Sequence, residues 1–121
     1  MVDDEPAVRA TLSGFLEKAG YEVASAPNGE AGLRLLQRGP APDLLVLDLM
    51  MPVMTGFEVL KQMKLHPLWS KLPVIVLTAT PGHTAEELQV DAVLKKPFNL
   101  ADVQASIFVA LASRRQPKPR G

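Results

Sequence analysis

The chain has 121 residues, 47 % of them hydrophobic and 21 % charged, with thirteen basic and thirteen acidic side chains and no cysteine. That length suits one compact domain able to bury its own core, and the missing cysteine excludes a disulfide scaffold, a thiolate metal site and a cysteine nucleophile. Balanced charge gives no global pull toward nucleic acid or a membrane surface, and no apolar stretch reaches the roughly 20 residues of a membrane span.

The opening Met1-Val2 is a short apolar start that runs into Asp3-Asp4-Glu5, an acidic beginning unlike a secretory leader. Val8, Leu12, Phe15, Leu16 and Ala19 then share one helical face, with Pro6 near the start and Gly20 just past the end. A weak strand fits 21–26. Asn28 is placed to cap a second helix carrying Leu33, Leu35 and Leu36, which Gly39 stops. Leu44-Leu45-Val46-Leu47 is a short unbroken apolar run, the pattern of a strand covered on both faces. Phe57, Leu60 and Met63 mark a third helix before His66-Pro67, and Val74-Ile75-Val76-Leu77 is a second buried run. A weaker strand at 91–94 precedes a last helix over 99–115, with Leu100, Val103, Ile107, Ala110 and Leu111 on its inner face. The domain is assigned to 1–113, and the basic, Pro-rich segment 114–121 reads as a tail or linker stub. Alternation of strand and helix, five of each, predicts an α/β fold with a parallel sheet, right-handed crossovers and helices on both faces.

Polar residues sit where the apolar runs end. The run at 44–47 ends in Asp48, that at 74–77 in Thr78, Ala92-Val93-Leu94 in Lys95-Lys96-Pro97, and Met1-Val2 in Asp3-Asp4. In an open parallel sheet the carboxyl edge of the strands is where ligands bind. Three acids, a hydroxyl and an ammonium are therefore expected on one edge. Clustered carboxylates repel one another without a cation, and Mg²⁺ is a hard ion held by carboxylates, phosphate and water. A carboxylate is also a phosphoryl acceptor, and phosphoryl transfer needs positioning and charge neutralisation more than acid–base groups. Neither His66 nor His83 stands at a strand end.

Four pieces together resemble a receiver domain of a two-component response regulator: Asp3-Asp4-Glu5-Pro6, Asp48-Leu49-Met50-Met51-Pro52 with Gly56, Leu77-Thr78-Ala79, and Lys96-Pro97-Phe98. The resemblance covers nearly the whole chain. It implies a flavodoxin-like doubly wound (βα)5 fold with a five-stranded parallel sheet of order 2-1-3-4-5. It implies Asp48 as phosphoacceptor, Asp3, Asp4, Asp48 and the Met50 carbonyl as Mg²⁺ ligands, Thr78 as the group that binds and senses the phosphoryl group, and Lys96 as its cationic partner. Lys96 is preferred to Lys95 because it directly precedes the proline, in a bond that is often cis in relatives. The implied protein is a cytoplasmic switch, not an enzyme beyond its own phosphorylation and dephosphorylation. It would be served by a histidine kinase or phosphotransfer protein and read by an effector protein or an output domain outside this chain, with no direct binding to membrane or nucleic acid.

Three features depart from the family pattern. The first strand is short, so that either the natural chain begins earlier or other groups fill the gap. Val93 stands where relatives carry the aromatic residue whose rotation reports phosphorylation. The segment between Thr78 and Lys96 is short and contains Pro81-Gly82, which predicts a fourth helix reduced to about one turn near 84–89. These departures support a second reading, a degenerate receiver that binds partners without being phosphorylated. A phosphatase with a nucleophilic Asp is set aside, because its second acid two residues on is here Met50. Plainer readings stand beside the others: Asp3-Asp4 as a helix cap, Asp48 as a turn residue, Thr78 as an ordinary strand end, the methionines as packing, Trp69 as a cover for the core edge, and the basic tail as solvated.

Overall fold

The computed structural model describes residues 1–115; most of the predicted tail, 116–121, lies outside the described residues. Three parallel strands, β1 (Leu45–Asp48), β2 (Val74–Thr78) and β3 (Ala92–Lys95), pair side by side in the order β1-β2-β3. The register sets Asp48 opposite Leu77 and Thr78 opposite Lys95. Five helices accompany them: α1 (Pro6–Lys18), α2 (Gly29–Arg38), α3 (Gly56–Leu65), α4 (Ala85–Leu88) and α5 (Leu100–Arg115).

The five strands read from the sequence are three among the described residues. The other two segments contribute one bridge each way: Val2 pairs in parallel with Leu47 on one side and with Ala26 on the other. The reason is length. Val2 N–H donates to Val46 O at 2.8 Å, Asp48 N–H donates to Val2 O at 2.9 Å, and the Ala26 side is completed by Asp3 N–H to Ala26 O and Ala26 N–H to Met1 O. Beyond those bonds the chain turns into Asp3-Asp4, so no second pair of residues extends either ladder. α2 also closes down on this point. A Cβ at Gly32 would lie 2.6 Å from a Val2 methyl, so only glycine lets the helix pack that near.

Strand side chains alternate between two cores, as a sheet covered on both faces requires. Leu45, Leu47, Val74 and Val76 join Val59, Leu60 and Met63 of α3 and Leu36 of α2 on one side. Val46, Ile75 and Leu77 join Leu12 and Leu16 of α1 and Val103, Ile107 and Ala110 of α5 on the other. Each such aliphatic side chain contributes roughly 1.5–3 kcal/mol when fully buried. On α3 it is Val59, with Leu60 and Met63, that enters the core, whereas Phe57 lies 38 % exposed at the rim.

Local signals set the helix ends. Asn28 accepts a hydrogen bond from the Ala31 N–H and starts α2, and Gly39 ends it. Thr55 and Glu58 form a capping box that starts α3. α4 is a single turn capped by Thr84, as the short segment predicts. His66 stacks on Trp69 at 3.9 Å between ring centroids and accepts from the Leu68 and Trp69 N–H groups, so this histidine serves the loop before β2.

Candidate functional site

Among the described residues the buried polar or charged side chains are Asp3, Asp48 and Thr78, and all three stand at the carboxyl edge of the sheet. β1 delivers Asp48 at its last position. The α3 helix begins against it: a Cβ at Gly56 would lie 2.3 Å from the Asp48 carbonyl oxygen, and the Gly56 N–H donates to Leu49 O. The connecting loop passes through Val53 at φ +70°, where Met54 N–H donates back to Pro52 O, a tight three-residue turn.

Lys96 reaches this edge from the end of β3, through a cis bond to Pro97. Its ammonium lies 2.9 Å from Asp3 Oδ2, 2.9 Å from Glu5 Oε1 and 3.4 Å from Asp48 Oδ2. The neighbouring Lys95 is exposed. Asp3 is fixed on three sides. Its Oδ1 accepts from the Glu5 N–H, its carbonyl accepts from Arg9 Nη1 at 2.7 Å, and its own N–H donates to Ala26 O. The helix cap proposed for the acid pair falls instead to Glu5, which makes no side-chain cap bond. Thr78 Oγ1 accepts from the Thr80 N–H, and Asp48 Oδ1 accepts from the Met50 N–H at 3.2 Å.

The electrostatics follow from burial. Asp48 is pushed up from its ordinary 3.8 to about 6, first by loss of water, then by the Asp3 charge and a shared hydrogen bond with Asp4; Lys96 and the Met50 N–H act the other way. Burial pulls Lys96 down, but its hydrogen bond to Glu5 and the neighbouring carboxylates of Asp3 and Asp48 outweigh that and raise it, so it stays protonated.

The structure therefore brings Asp3, Asp4, Asp48 and Lys96 together. It places the Met50 backbone beside Asp48, and it sets Thr78 at the end of the adjacent strand. The sequence reading quoted Glu5 and gave it no role, yet Glu5 is an ion-pair partner of Lys96. Arg9, which holds the Asp3 carbonyl, was read only as part of a helix. One signal was available for Glu5, its place directly after two site acids; nothing in the sequence marked Arg9.

The acids fit a hard divalent cation. Asp3, Asp4, Glu5 and Asp48 each offer a carboxylate oxygen, all within 4.8 Å of one another. Asp3 Oδ2 is buried and makes no aligned hydrogen bond, although Lys96 lies near it. A buried carboxylate oxygen without a donor is an atom that a cation would satisfy.

The parallel α/β sheet thus carries a buried aspartate, flanking acids and a lysine together at its carboxyl edge. The sequence comparisons name the class: residues 1–108 match the response regulator receiver domain, and the chain belongs to that family. It is 36 % identical over 115 residues to the alkaline phosphatase synthesis transcriptional regulatory protein PhoP of Bacillus subtilis, covering 92 % of this chain and 47 % of that protein. It is 35 % identical to the phosphate regulon transcriptional regulatory protein PhoB of Rhizobium meliloti, covering 98 % of this chain and 52 % of that one. The chain thus spans about half the length of the curated relatives it matches. Among solved structures, a putative response regulator from Chloroflexus aurantiacus superimposes with a TM-score of 0.83 at 33 % identity over 92 % of this chain and 93 % of that one. The response regulator TrrA of Thermotoga maritima, solved in complex with Mg²⁺-BeF, gives 0.79 at 31 % identity over 90 % and 94 %. No helix among the described residues is long and apolar enough to cross a membrane.

Proposed function

We propose that this chain is a working phosphoacceptor receiver that takes a phosphoryl group on Asp48 from a histidine kinase or phosphotransfer protein. The observation that carries this reading is the buried Asp48 carboxylate 3.4 Å from the Lys96 ammonium, with three further acids beside it at the sheet edge. An Asp48 oxygen attacks phosphorus, the bond from phosphorus to the donor histidine nitrogen breaks, and an acyl phosphate forms on Asp48. Asp3, Asp4, Asp48 and the Met50 carbonyl would hold Mg²⁺, as the Mg²⁺-BeF complex of TrrA supports. When bound, that ion neutralises charge on the phosphoryl oxygens. Lys96 pairs with one of those oxygens, and the Thr78 hydroxyl, which accepts from the Thr80 N–H, turns its own hydrogen toward another.

The two single bridges at Val2, one to Leu47 and one to Ala26, support the family order 2-1-3-4-5. The domain acts only on its own carboxyl group, so it is a switch and not an enzyme with a turnover substrate. Its place is the cytoplasm, and its output passes to an effector protein or to an output domain outside this chain. The transcriptional regulators among its relatives favour the latter.

Intact-mass analysis after acetyl phosphate treatment, with and without Mg²⁺, tests the reading on wild type and Asp48→Asn. A Mg²⁺-dependent phosphate adduct that is lost in the variant is expected. The second reading, a degenerate receiver serving only as a binding module, is favoured by Val93 and the one-turn α4. A folded wild type that takes no adduct at millimolar Mg²⁺ would select it.

A further inference from the structure

We infer that Glu5 is a displaceable gate on Lys96: it occupies the ammonium in the resting state and must swing away before a phosphoryl oxygen can take its place. The inference rests on the phosphoacceptor reading above and assigns a role within that site. An ammonium has three N–H donors and no acceptor. Around Lys96 stand three carboxylates, those of Asp3, Glu5 and Asp48. Glu5 Oε1 takes the ammonium's aligned hydrogen bond at 2.9 Å, while Asp3 Oδ2 and Asp48 Oδ2 stand in ion-pair range, so an incoming phosphoryl oxygen that takes that N–H must replace Glu5.

The three are not equally free to leave. Asp3 is 1 % exposed and held by the Glu5 N–H, Arg9 and Ala26 bonds already described. Asp48 is the acceptor itself, and its oxygens become part of the product. Glu5 is different. Its side chain is 56 % exposed, its contact with Lys96 is the one its side chain makes among the bonds described, and rotation puts its carboxylate in water. A carboxylate left in place would also repel the anionic donor. Release of Glu5 therefore frees a donor and removes a like charge in one movement. Measured strengths of exposed ion pairs convert to about a two- to fivefold change in an equilibrium constant.

Two measurements on Glu5→Gln and Glu5→Ala test this. The first needs neither metal nor phosphate: the rate of reductive methylation at Lys96 in metal-free protein, read by peptide mass spectrometry. Both variants should methylate Lys96 faster than wild type, while other lysines react unchanged. The second is the acetyl phosphate concentration that half-saturates Asp48 labelling at fixed, saturating Mg²⁺. It should fall about two- to fivefold in both variants. Glu17→Gln, which removes an exposed acid of the same charge near the far end of α1, should leave both readouts where they are. Unchanged Lys96 reactivity, an unchanged half-saturation, or equal effects in Glu17→Gln would overturn the gate. A rise in the Mg²⁺ concentration needed for labelling, with half-saturation no lower, would make Glu5 a metal ligand instead. Failure of wild type to label at all would remove the phosphoacceptor reading and the gate together, whereas a labelled wild type with unresponsive Glu5 variants removes the gate alone.

Discussion

Replacing Asp48 by Asn should make the metal-free protein more stable at neutral pH, although it deletes the central side chain of the site. The Asp48 carboxyl is 3 % exposed, and its ionisation is opposed by burial and by Asp3 more strongly than Lys96 favours it. Its pKa rises from 3.8 in the unfolded chain to about 6 in the fold. Because the folded value is the higher one, the folded chain holds the proton more tightly. The stabilising contribution is complete below pH 3.8, declines as pH rises, and is gone above about pH 6. At 1.36 kcal/mol per pH unit the full difference is about 3 kcal/mol. Asn keeps the shape without the charge, and Lys96 retains Asp3 and Glu5. The expected gain for Asp48→Asn at pH 7.5 is thus about 1–3 kcal/mol, large against a total of roughly 5–15 kcal/mol. Urea unfolding followed by circular dichroism between pH 4 and 8, in the presence of a chelator, reads it directly. The gain should shrink toward zero near pH 4. A variant no more stable than wild type at pH 7.5, or a gain of equal size at both ends of the range, would refute the reasoning.

Two further substitutions probe how the chain holds Asp48 in place. Gly56→Ala puts a methyl 2.3 Å from the Asp48 carbonyl oxygen, a backbone atom that cannot step aside cheaply. It should cost about 1–3 kcal/mol in urea unfolding and slow acetyl phosphate labelling, and a normally stable, normally labelled variant would show that α3 does not press on the site. Val53→Gly relieves a β-branched residue at φ +70° and should raise stability by about 1 kcal/mol without reducing labelling. A loss of stability would mean that the turn is not strained.

Most of the fold is legible in the sequence because its signals are local. Asn28, Gly39 and Pro6 act within a turn of where they stand, and the helices begin and end near them. Runs such as Val74 to Leu77 are fully buried on both faces, and a single reading satisfies them. The first two strands read from the sequence reduce to single bridges among the described residues, because a strand is a property of a pair. The sequence around 21–26 has the composition of a strand, but its bonds to the segment opposite are few: Met1 donates to Ala24 O and accepts from the Ala26 N–H, and Asp3 N–H donates to Ala26 O, around the single bridge Val2–Ala26. Phe57, Leu60 and Met63 were read as marking one helix; Leu60 and Met63 are buried with Val59, and Phe57 lies at the exposed rim of that face. In the site, Asp48 was legible because it ends an apolar run, and Lys96 because it directly precedes Pro97 in the pattern of the family. Glu5 was not, because its partner lies 91 residues away and the contact depends on where β3 delivers Lys96.

That separation bears on how signal and chemistry divide in this molecule. The acid and lysine edge is built from the ends of β1 and β3 and from the loop before α1, with Asp3 and Lys96 held by several partners each. The face beyond β3 is built differently. α4 is one turn, held at its end by Lys64 donating to Leu88 O, and Val93 sits half-buried against the core on the α3 side with no ring to swing. A valine offers no second, solvent-facing position that would trade burial for a polar contact, so it cannot be the two-state element that a switch requires. The elements that can move are those bonded to the site itself: the Thr78–Thr80 loop, whose hydroxyl bond is local, and the Glu5 arm. A conformational output in this chain is therefore expected near the sheet edge, in the loops after β1 and β2 and at the start of α1. Amide hydrogen exchange before and after Asp48 labelling should change at 78–83 and at 3–6 and not across β3; a change centred on Val93 would show that the relay runs through the strand after all.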